Sequence, residues 1–242
     1  MDLKNKVAVV TGGSSGIGQA ICIALANEGC DVVFTYNTNE NGANETLHKL
    51  TKNSYKYNVN MEQEDSIAEF FEFIKDKYKK IDILVNNHGI NKPRGLFEVD
   101  DWKKIFDVDL FSVVSVTGKA VDLMNDLGKV INITSVYGDG KACYKGIAPY
   151  GAAKAALNHY TQMLAKNLAP KILVNAIAPG YVRTPLWGSK TEDEFNEAGK
   201  EQLIERMIEP SEIAQIAVAV LKNDAVTGEI FMVDGGISLK TV

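Results

Sequence analysis

The stretch Ser135 to Lys154, "SVYGDGKACYKGIAPYGAAK", places a tyrosine and a lysine four residues apart twice, as Tyr137 with Lys141 and as Tyr150 with Lys154. An ammonium beside a phenol favours the phenolate, so such a pair can give or take a proton at a carbonyl or alcohol oxygen. Four residues bring two side chains to one face only if the segment is helical. "YGDGK" has two glycines and an aspartate between its ends, which is turn composition, whereas "YGAAKAAL" is strong helix sequence. The spacing therefore selects Tyr150 and Lys154 as the chemical pair.

The elements that must position this pair read as alternating strands and helices. Strands are predicted at Lys6–Thr11, Asp31–Tyr36, Ser54–Val59, Ile81–Asn86, Lys129–Thr134, Ile172–Ile177 and Glu229–Val233. Several are apolar on both faces, as parallel strands covered from both sides require. Between them, Ile67, Phe70, Phe71, Ile74 and Tyr78 recur at helical spacing, and "APYGAAKAALNHYTQMLAKNL" predicts a long helix. The fold class is α/β: a Rossmann-type doubly wound parallel sheet of about seven strands with helices on both faces. No repeat or linker divides the chain, so 1–242 reads as a single domain.

Composition narrows the function classes. The 242 residues are 45% hydrophobic and 24% charged, with a formal net charge of −5, which argues against a nucleic-acid binder needing a basic face. Cys22, Cys30 and Cys143 make neither a disulfide framework nor a zinc motif, and His48, His88 and His159 are scattered, so no metal is expected. The polar start and the lack of any apolar run near ~20 residues point away from a signal peptide and a membrane span, toward the cytoplasm.

The first strand runs into "TGGSSGIGQAICIALANEG". Gly12, Gly16 and Gly18 stand where the strand turns and a helix begins, which suits close approach of backbone amides to a pyrophosphate. No G-K-[ST] follows, so a P-loop NTPase is excluded.

Taken together, Thr11–Gly18, "NNHG" at 86–89, Tyr150-x-x-x-Lys154, "NAIAPGYVRT" and "VDGG" resemble the short-chain dehydrogenase/reductase family over essentially the whole chain. The resemblance implies a nicotinamide dinucleotide and a Ser135–Tyr150–Lys154 centre in which Tyr150 protonates the alkoxide formed on reduction and Ser135 bonds the substrate carbonyl. It assigns the dinucleotide to Thr11, Gly12, Ser14, Ser15, Gly16, Ile17 and Gly18, and to Tyr36, Asn37, Asn58 and Val59. Asn86, His88 and Gly89 follow, with Tyr150 and Lys154 themselves, and Pro179, Gly180, Val182 and Thr184 around the nicotinamide.

The chain departs from the family pattern in four places. Asp109 replaces an asparagine that holds a water to the lysine, so it either joins the catalytic set as a carboxylate that orients the water and adds charge near Lys154, or serves as a polar residue that stabilises a kink. His88 replaces an alanine, reaching the active-site rim or packing beside it. The loop between Ser135 and Tyr150 is lengthened, and Asn58 replaces an adenine-binding aspartate. No acid stands at Tyr36, so the balance leans to NADP(H) over NAD(H). The segment 187–209 reads as a substrate lid, with packing as the plain alternative for Phe195, Leu203, Ile204, Met207 and Ile208.

The expected activity is hydride transfer between NAD(P)(H) and a carbonyl or secondary alcohol. Its style is that of 3-oxoacyl-acyl-carrier-protein reductases, with Lys92, Arg94, Lys141, Lys145 and Arg183 as candidate contacts for an acidic carrier. Sugar, polyol or steroid-type alcohol dehydrogenases are the alternative, and a cofactor-binding scaffold without catalysis the third reading. A serine hydrolase is disfavoured because no G-x-S-x-G surrounds Ser135. The resemblance also implies a homo-oligomer, tetramer or dimer.

Overall fold

The computed structural model describes residues 1–91, 95–140 and 142–240. The valine-rich run Val7–Val10 forms β1, and β2 (Asp31–Tyr36), β3 (Tyr55–Asn58) and β4 (Ile81–Asn86) follow it in one sheet. With β5 (Met124–Ile133), β6 (Ile172–Pro179) and β7 (Ile230–Val233), these strands make a seven-stranded sheet ordered β3-β2-β1-β4-β5-β6-β7. Every pairing in it is parallel.

Strand alternation sorts the core into two layers. Ala8, Val10, Val32, Phe34, Ile83, Val85, Ile131, Ile133 and Ile177 face one way, against Ile21 and Leu25 of α1 (Gly16–Asn27) and Ile213, Ala217 and Leu221 of α8 (Pro210–Lys222). Val9, Val33, Leu84, Val130 and Val174 face the other way. They meet Ile67, Phe70, Phe71 and Ile74 of α3 (Glu64–Tyr78), and Val116 and Ala120 of α5 (Ser112–Leu123). Each such aliphatic side chain taken fully out of water contributes about 1.5–3 kcal/mol before the ordering cost.

The remaining helices are α2 (Glu40–Leu47), α4 (Val99–Phe106), α6 (Ala148–Leu168) and α7 (Glu192–Gly199). The predicted long helix is α6 over its full extent, with Pro149 in its first turn, where a missing N–H costs nothing. Two features lie outside the hydropathy pattern. β5 begins at Met124 rather than at Lys129: buried Met124 pairs with Ile81 of β4, and exposed Asn125, Asp126 and Leu127 follow where the register shifts between Ile81 and Ile83. A π-helical turn, Asp107–Phe111, joins α4 to α5.

The sheet reverses its winding between β1 and β4, the two strands whose following segments run to opposite edges. Ligands of open α/β sheets bind outside the carboxyl ends of the strands at such a switch point. The glycine loop after β1 and the Asn87–Gly89 segment after β4 both leave the sheet there.

Candidate active site

Three elements bring the chemical residues together. Ser135 follows β5 and begins a 3₁₀ turn, Val136–Gly138, with its hydroxyl accepting the Tyr137 N–H at 3.2 Å. Tyr150 and Lys154 lie one turn apart on α6, with the Lys154 ammonium 5.5 Å from the centre of the Tyr150 ring. The turn and the helix touch so closely that a Cβ on Gly138 would stand 2.7 Å from the Lys154 carbonyl carbon. Ser135 lies close enough to Tyr150 to favour its phenolate.

The π-helical turn supplies the fourth residue. Asp109 is wholly buried, its Oδ1 accepts the Ile90 N–H at 2.8 Å, and its Oδ2 lies 3.6 Å from the Lys154 Nζ. Lys154, 3% exposed, also donates to the Ile133 carbonyl at 3.2 Å. Burial raises the Asp109 carboxyl above the usual carboxylate range, and Lys154 pulls it back. Burial also raises the Tyr150 phenol; Asp109 adds to this, while Lys154 and Ser135 oppose it. The net effect holds the Tyr150 phenol above its ordinary value.

His88 is half-buried and held through both ring nitrogens. The Ser112 hydroxyl donates to the Val108 carbonyl at 2.7 Å, so the 2.6 Å contact with His88 Nε2 is donated by the imidazole. Nδ1 then accepts from the Thr11 hydroxyl at 2.8 Å. Burial first, and Lys154 second, lower the imidazole pKa to about 4, so His88 is neutral.

The residues around the switch point fit a dinucleotide. Gly12 and Gly16 have positive φ of 69° and 55°, and an added Cβ on Gly18 would collide with the Gly12 carbonyl and the Asn87 amide. Ser15, the N-cap of α1, makes no side-chain cap bond, and no acid stands in the first turn. The helix therefore presents unengaged amides and its positive end to an anion. Gly16 also lies against Thr184, a Cβ there meeting the threonine Cγ2 at 3.1 Å, which joins the phosphate loop to the segment after β6.

A family model described as "Enoyl-(Acyl carrier protein) reductase" matches residues 12–238. The 3-oxoacyl-[acyl-carrier-protein] reductase of Aquifex aeolicus is 35% identical, covering 97% of this chain and 98% of that protein. The chain belongs to the short-chain dehydrogenase/reductase family. The structure of a short-chain dehydrogenase/reductase from Serratia marcescens superposes with a TM-score of 0.91 at 30% identity, covering 98% of this chain and 100% of that one. A short-chain dehydrogenase from Burkholderia cenocepacia, in complex with NADP, gives 0.89 at 26% identity, covering 98% and 99%. As a member of this family the protein is an oxidoreductase acting on CH–OH groups with a nicotinamide cofactor.

Other family-assigned positions are spread around this site with different exposures. Asn86 is buried and donates to Thr117 and Asn132, both at 2.9 Å, and the Val59 side chain lies in the core. Asn58 donates to the Asn37 carbonyl at 2.5 Å, closing the ends of β2 and β3. A Cβ on Gly180 would stand 2.7 Å from the Asp234 backbone, so the turn after Pro179 seats on "VDGG". Val182 bridges to Ile208 and is buried with it in the core under α8, which makes packing the role of Ile208. Phe195 and Met207 bury against Tyr181, while Leu203 and Ile204 remain exposed.

Of the candidate carrier contacts, Arg183 pairs with Glu192 at 2.8 Å and Glu209 at 3.4 Å, Lys145 is exposed, and Lys92, Arg94 and Lys141 lie outside the described residues. Two contacts beside the site carry no sequence signal. Asn87 Nδ2 donates to the carbonyls of Thr11 and Gly12 at 3.0 and 3.1 Å and pins the glycine loop. Lys56 stands 5.0 Å over the Tyr36 ring, paired with Glu40 at 2.8 Å.

Proposed function

We propose that the protein is an NADP(H)-preferring carbonyl reductase acting on 3-oxoacyl thioesters through Ser135, Tyr150 and Lys154. The observation that carries the reading is the convergence of these three side chains from β5 and α6, with Tyr150 held as a phenol. The bound cofactor supplies the hydride. Ser135 donates a hydrogen bond to the substrate oxygen, Tyr150 passes its proton to that oxygen as charge develops, and the Lys154 ammonium steadies the phenolate left behind.

The dinucleotide is assigned to the glycine loop Thr11–Gly18, to Tyr36, Asn37 and Asn58 at the adenosine end, and to Gly89, Pro179, Gly180 and Thr184 at the nicotinamide end. A preference for NADP(H) is supported by the lack of an acid at Tyr36 and by the Lys56 cation over its ring, although Glu40 must yield that cation to a 2′-phosphate. The similarity to the Aquifex aeolicus 3-oxoacyl-[acyl-carrier-protein] reductase supports the acyl-thioester class.

Residues 187–209 are assigned as the lid of the single domain, with Trp187, Phe195 and Met207 as its apolar base. Exposed Phe111 and Val114 on the π turn and α5 support a homo-oligomer, and no helix among the described residues is long and apolar enough to cross a membrane. We place the enzyme in the cytoplasm.

The test is titration of the protein with NADPH and NADH by quenching of tryptophan fluorescence, followed by turnover on 3-oxoacyl thioesters, sugars, polyols and steroids. Tighter NADPH binding and highest kcat/KM on a 3-oxoacyl thioester are expected. A preference for NADH, or turnover confined to a sugar or steroid alcohol, would overturn the assignment.

A further inference from the structure

Two departures from the family pattern, Asp109 and His88, lie on either side of one turn. Asp109 Oδ2 is buried without a hydrogen-bond partner and points at Lys154, 3.6 Å away. The carboxyl packs closely under the loop after β4: a Cβ on Gly89 would stand 3.2 Å from Oδ2. The turn itself is fixed from behind by the chain of bonds from Thr11 through His88 and Ser112 to the Val108 carbonyl. A buried carboxylate facing a buried ammonium is a counter-ion, and its removal changes the field at everything the ammonium touches.

We propose that Asp109 is a positioning residue that, as the buried counter-ion of Lys154, offsets the ammonium's pull on Tyr150 and so keeps Tyr150 a proton donor into the alkaline range. The inference rests on the assignment of Tyr150 as the proton donor. The groups facing Tyr150 decide the balance. Lys154 on α6 lowers the phenol's pKa and the Asp109 carboxyl on the π turn raises it. His88, after β4, is neutral. Tyr137, on the 3₁₀ turn, is an uncharged phenol, with Tyr144 and Tyr181 behind it. Among the described residues the Lys154 ammonium and the Asp109 carboxyl therefore act on Tyr150 in opposite directions.

Asp109→Asn keeps the shape and removes only the charge. Loss of a negative neighbour stabilises the phenolate, so the Tyr150 ionisation moves down, by about one pH unit for a neighbouring charge only partly screened. The readout is an ultraviolet difference titration of tyrosinate, with Tyr150→Phe subtracted in each background, together with the alkaline limb of kcat/KM for reduction. Both are expected to move down by about one unit in Asp109→Asn. Asp109→Ser, which removes the charge without introducing an amide, is expected to move them equally, and either variant alone decides if the other does not fold. An unmoved or upward tyrosinate step, or a shift in the asparagine variant that is absent in the serine variant, would overturn the proposal. The tyrosinate step needs no turnover, so its failure is separate from failure of the proton-donor assignment, which retained turnover in Tyr150→Phe would show.

Discussion

Tyr137 and Tyr150 lie thirteen positions apart, each followed by a lysine four residues on, and the fold puts them to opposite uses. Tyr150 lies on a regular helix with a buried cation one turn below it and Ser135 close by. Tyr137 lies in a three-residue 3₁₀ turn and gives its hydroxyl proton to Tyr181 at 2.8 Å. Tyr144 and Trp187 close around it, with Tyr181 edge-on to Trp187 at 4.9 Å. Burial raises both phenols, but among the causes acting on Tyr137 no cation opposes it, whereas Lys154 opposes it at Tyr150. Desolvation alone makes an inert tyrosine; desolvation with a cation in reach makes a proton donor that can release and recover its proton.

The contrast can be broken most severely at Lys154. Lys154→Met leaves Tyr150 in the same kind of apolar setting as Tyr137, and kcat for reduction is expected to fall by about 10²–10⁴-fold, the usual scale of acid–base assistance. Steady-state kinetics at saturating cofactor checks it, and a loss under tenfold would mean the cation is dispensable. A smaller effect sharpens the other side of the comparison. Tyr137→Phe and Tyr181→Phe each remove one half of a single hydrogen bond, so each is expected to cost about 1 kcal/mol of stability. The double variant should cost about as much as either alone, as measured by urea denaturation in a double-mutant cycle. Additive losses would show that the hydroxyls do not act as a pair.

Much of this was legible before the structure. Seven strands, the helix carrying Tyr150 and Lys154, and the glycine loop all follow from periodicity and turn composition. Valine-rich runs have few ways to be buried, and a loop with glycines between a strand and a helix has few conformations. Other features leave no such trace. The π-helical turn at Asp107–Phe111 inserts Asp109 into the site through backbone geometry, and "DVDLF" carries no periodicity that announces it. The role of His88 depends on which hydroxyls face its two ring nitrogens, Thr11 just after β1 and Ser112 from α5, a meeting of segments far apart in sequence. Lys56 carries no sequence signal, because only the pairing of β3 with β2 carries it over Tyr36. Pairing and helix spacing are local; the charge balance around Lys154 is a tertiary property.

The central claim is that Tyr150, and not Tyr137, delivers the proton. Single-turnover hydride transfer, followed by loss of NADPH absorbance on mixing with a 3-oxoacyl thioester, tests it most directly in Tyr150→Phe and Tyr137→Phe side by side. The account expects the Tyr150 variant to bind NADPH yet lose transfer by about 10²–10⁴-fold, and the Tyr137 variant to stay within a few-fold of the parent. Transfer retained in Tyr150→Phe and lost in Tyr137→Phe would contradict it.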